Sequence, residues 1–258
     1  MLRALIWDVD GTIAETERDG HRIAFNRAFE HHGLAWRWDV TTYGWLLAVA
    51  GGRERLLFEM EGRADAPTSA DARLDLATVL HATKNAFYRS LVEEGGIACR
   101  PGVRRVMDAC ADGSIALAIA TTTSRASVDA LMAHALGPQG LSRFATIVCA
   151  EDAPAKKPDP LVYRIALERL GLDAAEVVAI EDSPNGMHAA RAADIATVVA
   201  RSDYFREVDF SGATAMCDDL DAALTWTGGS ASRADLAALR EILEATNAAR
   251  QPAPPRVR

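Results

Sequence analysis

Nowhere in these 258 residues does an apolar run approach the length of a bilayer span, so no membrane-crossing helix is expected. No secretory leader is expected either: Arg3 is followed by only the short apolar stretch Ala4 to Trp7 before Asp8 interrupts it. Cysteine is sparse. Cys99, Cys110, Cys149 and Cys217 form no Cys-x-x-Cys pair and sit in apolar or mixed contexts, which reads as reduced, buried thiols in a cytoplasmic protein. Positive charge is not in excess. The net charge of −8 argues against nucleic acid or an anionic membrane as partner, and an anionic substrate would have to be drawn in by local Lys and Arg. There is no internal repeat. What remains, 49% hydrophobic and 25% charged, is the balance of a globular protein with room for a sizeable core in one large or two small domains.

The chain is organised around Leu2-Arg3-Ala4-Leu5-Ile6-Trp7-Asp8-Val9-Asp10-Gly11-Thr12. Leu5 to Trp7 is a short buried strand, and it stops at two aspartates and a glycine that permits a sharp turn. Residues 13–92 then change rhythm. Helical spacing runs to His32 and Gly33, residues 39–62 are helix-compatible around a break at Gly51-Gly52, and Asp71 to Leu91 reads as one long helix. From Gly95 strands and helices alternate: a helix from Pro101, strands at Ile115–Ala120, Phe144–Cys149, Val177–Ile180 and Ala196–Ala200, and helices between them. Such alternation predicts an α/β fold with a doubly wound, mostly parallel sheet of Rossmann type, and the helical block is an insertion after the first strand. The expected division is a catalytic core of residues 1–14 and 96–226, a helical cap of 15–95, and a segment 227–258. That last segment comprises a Gly/Ser-rich hinge at Thr227 to Ser232, a helix from Ala234 to Ala248 capped by Ser232, and a disordered tail.

The apolar strands end on chemistry. The first gives Asp8 and Asp10, the second Thr121, the third leads to Lys157, and the fourth gives Glu181 and Asp182. Each also reads as something plainer: an Asp-Gly turn, a helix cap, a solvated loop lysine. Their joint occurrence at neighbouring strand ends, where doubly wound sheets bind ligands, favours a site. The set suits phosphoryl transfer through an aspartyl-phosphate. Asp8 is the candidate nucleophile. Asp10 is the candidate general acid/base, a task that asks for a raised pKa in the first half of the cycle. Thr121 and Lys157 would hold phosphate oxygens, and Mg²⁺ would sit among Asp8, the Asp10 carbonyl and Asp182.

Asp8-Val9-Asp10-Gly11-Thr12, Thr121, Lys157-Pro158 and Glu181-Asp182-Ser183 together resemble the four motifs of the haloacid dehalogenase superfamily, over about residues 1 to 225. The helical insertion is similar to the small cap of its β-phosphoglucomutase and phosphoglycolate phosphatase group. The segments Glu17–Arg22, Gly51–Arg55, Ala118–Ser124 and Lys156–Pro160 resemble the CbbY type, which implies action on xylulose-1,5-bisphosphate, a misfire product that inhibits Rubisco. The resemblance implies the roles above, with Glu181 orienting the metal shell or ligating directly, and Thr12 following the phosphatase form of the motif. It also implies a soluble monomer acting on a small phosphorylated sugar. Arg53, Lys84, His21, Glu15, Tyr43 and Thr122 are the expected substrate contacts. Trp36, Trp38 and Trp45 are expected in the cap core, and hinges near Ala14–Glu17 and Glu93–Gly96. The rivals are a phosphomutase, a phosphoglycolate phosphatase, a receiver-like signalling module and a silent sugar-phosphate sensor. A receiver domain would carry its acidic pair before a phosphorylated aspartate on a later strand, which is not the order here.

Overall fold

A computed structural model describes residues 1–95 and 97–250. Eight strands form one sheet in the order β3-β2-β1-β4-β5-β6-β7-β8. They are β1 (Ala4–Trp7), β2 (Ala116–Ala120), β3 (Phe144–Val148), β4 (Val177–Glu181), β5 (Ala196–Ala200), β6 (Ala215–Cys217), β7 (Leu224–Trp226) and β8 (Gly229–Ala231). The first six of these are parallel and the last two pair antiparallel. The order reverses at β1, which pairs with β2 through Trp7–Ile119 and with β4 through Trp7–Ile180. Asp8 therefore leaves the sheet at the crevice that such a reversal opens.

Alternation along β1 builds the two layers. Leu5 and Trp7 pack into a cluster with Val106, Met107, Leu131 and Ile242, while Ala4 and Ile6 face Val162, Tyr163, Ala166 and Ala189 on the other side. The covering helices are α5 (Val103–Asp112), α6 (Arg125–Leu136), α7 (Leu161–Leu170), α8 (Pro184–Ala192) and α9 (Leu236–Arg250). α5 buries Val103, Val106, Met107 and Cys110, a single face at helical spacing. It starts later than its proline suggested, because Gly102 turns at φ 78°, where a Cβ would meet the Leu220 backbone at 2.7 Å.

The cap comprises α1 (Arg22–His31), α2 (Val40–Leu46), α3 (Gly52–Glu61) and α4 (Ala70–Glu93). α4 begins at Ser69, whose side chain accepts from Ala72 N, and it packs on α1, α3 and the core helix α6. Phe25, Phe29, Trp36, Trp38, Leu56 and Leu80 form the cap's own core. Trp45 departs from expectation. It is 81% exposed, because α2 turns its neighbours Tyr43 and Leu46 inward instead.

The stretch read as a hinge, Thr227 to Ser232, is instead the turn and outer strand of the β7–β8 hairpin, its reversal made by Gly228 at φ 97°. The last helix is no appendage: Ala238, Leu239, Ile242 and Leu243 are buried in the main core. Its cap is Asp235, whose Oδ1 accepts from Ala238 N at 3.0 Å, rather than Ser232. The tail expected over 251–258 lies outside the described residues, as does Gly96 of the second expected hinge. Among the described residues no helix is long and apolar enough to cross a membrane.

Candidate active site

Asp8 comes directly after β1, its backbone N–H still donating to Ile180 O at 3.0 Å. Its carboxylate is buried beside Glu181 and Asp182 at the end of β4, and one oxygen from each lies within 4.8 Å of the others. Lys157 Nζ donates to Asp8 Oδ1 at 2.6 Å and to Glu181 Oε1 at 2.6 Å. Tyr163 OH donates to the same Glu181 oxygen, and Asp182 N donates to Glu181 Oε2 at 3.2 Å. Both oxygens of Glu181 are thus engaged, while Asp182 lines the cavity between core and cap and Asp8 is buried beside it. Two glycines make room. At Gly11, with φ 82°, a Cβ would stand 2.7 Å from Asp182 Cγ, and at Gly186 a Cβ would overlap the Glu181 carboxylate.

Three buried carboxylates against one ammonium leave a formal charge of −2. Burial pushes Asp8 up to about 8, with Lys157 opposing and Glu181 and Asp10 reinforcing. Asp182 is raised by burial and then by Asp8 and Glu181. Burial works against the ammonium of Lys157, but the Asp8 and Glu181 charges outweigh it and hold the proton on more firmly than usual. This oxygen-only donor set fits a hard divalent cation, which would offset the charge that the protein leaves unbalanced.

Asp10 behaves differently from expectation. Its Oδ1 accepts from Thr16 Oγ1 at 2.5 Å and lies 2.9 Å from His21 Nε2, and Thr123 Oγ1 donates to its Oδ2. Burial favours the protonated acid, yet His21, Thr123 and Thr16 outweigh it and carry Asp10 below the ordinary carboxylate range. In this arrangement Asp10 is held as a carboxylate, whereas the first half of the cycle asks for a protonated acid. Its carboxylate is not part of the Asp8–Glu181–Asp182 cluster, so the expected metal role rests on its backbone carbonyl.

A cavity of about 590 Å³ opens between core and cap. Among the expected residues, Asp10, His21, Arg53, Lys84, Thr122, Lys157 and Asp182 line it. Thr121 sits buried behind Thr122, its hydroxyl accepting from Thr123 N at 3.2 Å. Glu15 and Tyr43, the other two expected substrate contacts, do not line the cavity. Glu15 Oε2 lies 3.4 Å from Arg100 Nε, and Tyr43 OH donates to Glu17 at 2.5 Å while accepting from Arg55 at 2.8 Å inside the cap. Lys84 is buried, its one hydrogen bond a 3.4 Å contact with Asn85, beneath the rings of Phe25 and Tyr88.

The sequence reading missed His81, Arg55 and Lys156 in the lining, and Thr16 and Thr123 on Asp10. His81 is pushed down to about 4 by burial and then by Lys84. A compositional signal was available for Lys156. The chain has 25 arginines and only three lysines, Lys84, Lys156 and Lys157, and all three line this cavity.

Comparison with known proteins agrees with this geometry. The profile of haloacid dehalogenase-like hydrolases matches residues 2–194. Protein CbbY (plasmid) of Cupriavidus necator is 42% identical over 256 residues, covering 95% of this chain and all of that one. The crystal structure of CbbY from Rhodobacter sphaeroides with phosphate superposes with TM-score 0.79 at 36% identity, covering 85% of this chain and 95% of that one. A mutant of the same protein in complex with xylulose-(1,5)bisphosphate gives TM-score 0.79 at 35% identity over the same shares. With its motifs gathered at the strand ends and its profile matched over three quarters of its length, the chain is an enzyme of the haloacid dehalogenase-like hydrolase family.

Proposed function

We propose that this enzyme is a Mg²⁺-dependent phosphatase of a small phosphorylated sugar, with xylulose-1,5-bisphosphate as its preferred substrate, acting as a monomer in the cytoplasm. The observation that carries the reading is the polarity of the cavity. Lys157 and Asp182 open on it from the acid cluster, and Lys84, Lys156 and Arg53 line it elsewhere among Glu17, Glu54 and Glu151; Arg53 pairs with Glu54 at 3.5 Å, while Lys84 forms no ion pair with any described residue. A substrate with a phosphate at each end suits both regions. The CbbY structure with a sugar bisphosphate supports the choice of substrate.

In the proposed cycle Asp8 attacks phosphorus, and the phosphoryl group passes to its carboxylate. Thr121 and Lys157 hold the equatorial oxygens as their charge shifts. Bound at Asp8, Asp182 and the Asp10 carbonyl, Mg²⁺ would offset the repulsion between nucleophile and phosphate. Once its contacts with Thr16, His21 and Thr123 loosen, Asp10 takes up a proton from solvent and delivers it to the leaving oxygen. The carboxylate so regenerated then takes the proton of the water that hydrolyses the aspartyl-phosphate, and the contacts re-form as that proton is released. Cap closure keeps water out until that intermediate has formed.

The test is phosphate release with Mg²⁺ from xylulose-1,5-bisphosphate, ribulose-1,5-bisphosphate, fructose-1,6-bisphosphate, β-glucose-1-phosphate and phosphoglycolate. Preference for the first, lost in Asp8→Asn, is the expected result. Preference for another substrate discards the substrate assignment, and activity that survives Asp8→Asn discards the mechanism.

A further inference from the structure

The three lysines of the cavity differ in what surrounds them. Lys157 is bound on two sides by Asp8 and Glu181. Lys156 is half-buried in the loop beside it. Lys84 is buried, forms no ion pair with any described residue, and lies 5.0 Å from the Phe25 ring centre and 5.4 Å from that of Tyr88. It is a buried amine beside two aromatic rings, on the wall of a cavity that Arg53, Arg55, Lys156 and Lys157 also line. Phosphate recognition uses only the charge of such a group. That setting also suits its lone pair.

We propose that Lys84 is a carbonyl-trapping site, at which small phosphorylated aldehydes entering the cavity form a reversible imine and block the enzyme. The Nζ lone pair forms a bond to the aldehyde carbon and one amine proton passes to the carbonyl oxygen, giving a carbinolamine; the second amine proton then passes to that hydroxyl, which leaves as water as the C=N bond forms. Arg53 and Lys156, which line the same cavity, draw the aldehyde's phosphate and hold it while the slower bond formation proceeds. The inference does not depend on which sugar phosphate the enzyme hydrolyses. It needs only that a phosphorylated carbonyl compound fits a cavity of about 590 Å³.

The local charges allow the free amine. Burial brings Lys84 from 10.5 down to about 8. Glu17 and Asp10, from the segment before α1, favour the ammonium, and Arg55 on α3 disfavours it. On α4 itself His81 and Tyr88 flank it, and His81 is held neutral at ordinary pH. At pH 7.5 about a quarter of Lys84 is then unprotonated, roughly two hundred times more than for a solvated lysine.

The scarcity of lysine makes the test simple to read. The full chain is treated with pyridoxal 5′-phosphate at pH 7.5, reduced with borohydride, which supplies hydride to the imine, and digested with trypsin. The expected product is a single adduct on Lys84, which blocks cleavage there and yields the peptide from Leu74 to Arg89. Labelling should fall at least tenfold in the presence of inorganic phosphate, and at least tenfold when pyridoxal without its phosphate replaces the reagent. Lys84→Arg, which keeps the cation, should abolish the adduct. Adducts on Lys156 or the N-terminus with Lys84 unmodified would overturn the proposal, and so would equal labelling by pyridoxal and its phosphate. The wild-type peptide map decides this even if the variant does not fold, and it needs no phosphatase assay.

Discussion

Gly186 sits in the first turn of α8, where an alanine should help. Replacing glycine by alanine within a helix stabilises by about 1 kcal/mol. The surroundings reverse that sign. A Cβ at Gly186 would overlap the Glu181 carboxylate, which accepts from Lys157, Tyr163 and Asp182 in a fully buried setting. Displacing it breaks at least two bonds that involve a charge, at about 1.5–3 kcal/mol each. Relief of repulsion among the three acids returns part of this. The net expectation for Gly186→Ala is a loss of about 2 kcal/mol, a fall in Tm of about 4–8 °C for a chain of this size. Activity should suffer more. Lys157 loses one of its two anchors, and a misplacement of about 1 Å at the reacting phosphate costs about a hundredfold in kcat. Thermal melts and Mg²⁺-supported phosphate release measure both. A variant that melts higher than the parent with kcat unchanged would show that Glu181 does not hold Lys157 in place.

The acid cluster predicts a pH slope that metal removes. Folding raises Asp8 from 3.8 to about 8, so between these values the folded state holds a proton that the unfolded chain has released, and stability falls as pH rises. Asp10, held below its ordinary value, has the opposite effect, but only under about pH 4. Melts in EDTA should therefore be lower at pH 8 than at pH 5, and MgCl₂ should raise the pH 8 melt most. Equal melts at both pH values without metal would remove the electrostatic case for a cation. Arg100 spends its guanidinium on Gly11 O, Ala200 O, Arg201 O and Asp218 O, with Glu15 at Nε. A lysine can satisfy three of these at most, so Arg100→Lys should lose about 2–3 kcal/mol in urea unfolding. A loss under about 0.5 kcal/mol would make the contacts incidental.

The sequence made the sheet and the acid cluster legible for one reason: buried parallel strands are short apolar runs, and the first polar residues after each run must lie at its carboxyl end. Asp8, Glu181 and Asp182 were found in this way, whereas Lys157, nine residues past Val148, was found by the Lys157-Pro158 motif in the loop that follows β3. The β7–β8 hairpin was not, because Leu224-Thr225-Trp226 and Gly229-Ser230-Ala231 are too short and too polar to carry a strand rhythm, and their pairing depends on the edge that β6 offers. That Glu15 and Tyr43 lie off the cavity was hidden for a related reason. Their partners Arg100 and Glu17 lie 85 and 26 residues away, so only the fold reveals that their polar atoms are already engaged. Trp45 shows the same limit from the other side: helical spacing gives a face, and packing decides which face turns in. The state of Asp10 was hidden most deeply, since its charge is set by Thr16, His21 and Thr123, brought in from two different segments.

The two chain crossings between core and cap run side by side. Ala14 bridges Cys99, and Arg100 N donates to Ile13 O at 2.8 Å, so the outgoing and returning linkers form a short ribbon at their base. Such a ribbon resists shear between its strands and resists twisting of one strand against the other, but it still bends across its flat side. The cap is thereby left one easy direction of swing instead of the several that two independent tethers would allow. In the proposed cycle, a lid with one path of travel would return Thr16 and His21 to the same place on every closure, and the accuracy of proton handling at Asp10 would be set by the stiffness of Ile13, Ala14, Cys99 and Arg100 rather than by the substrate's grip.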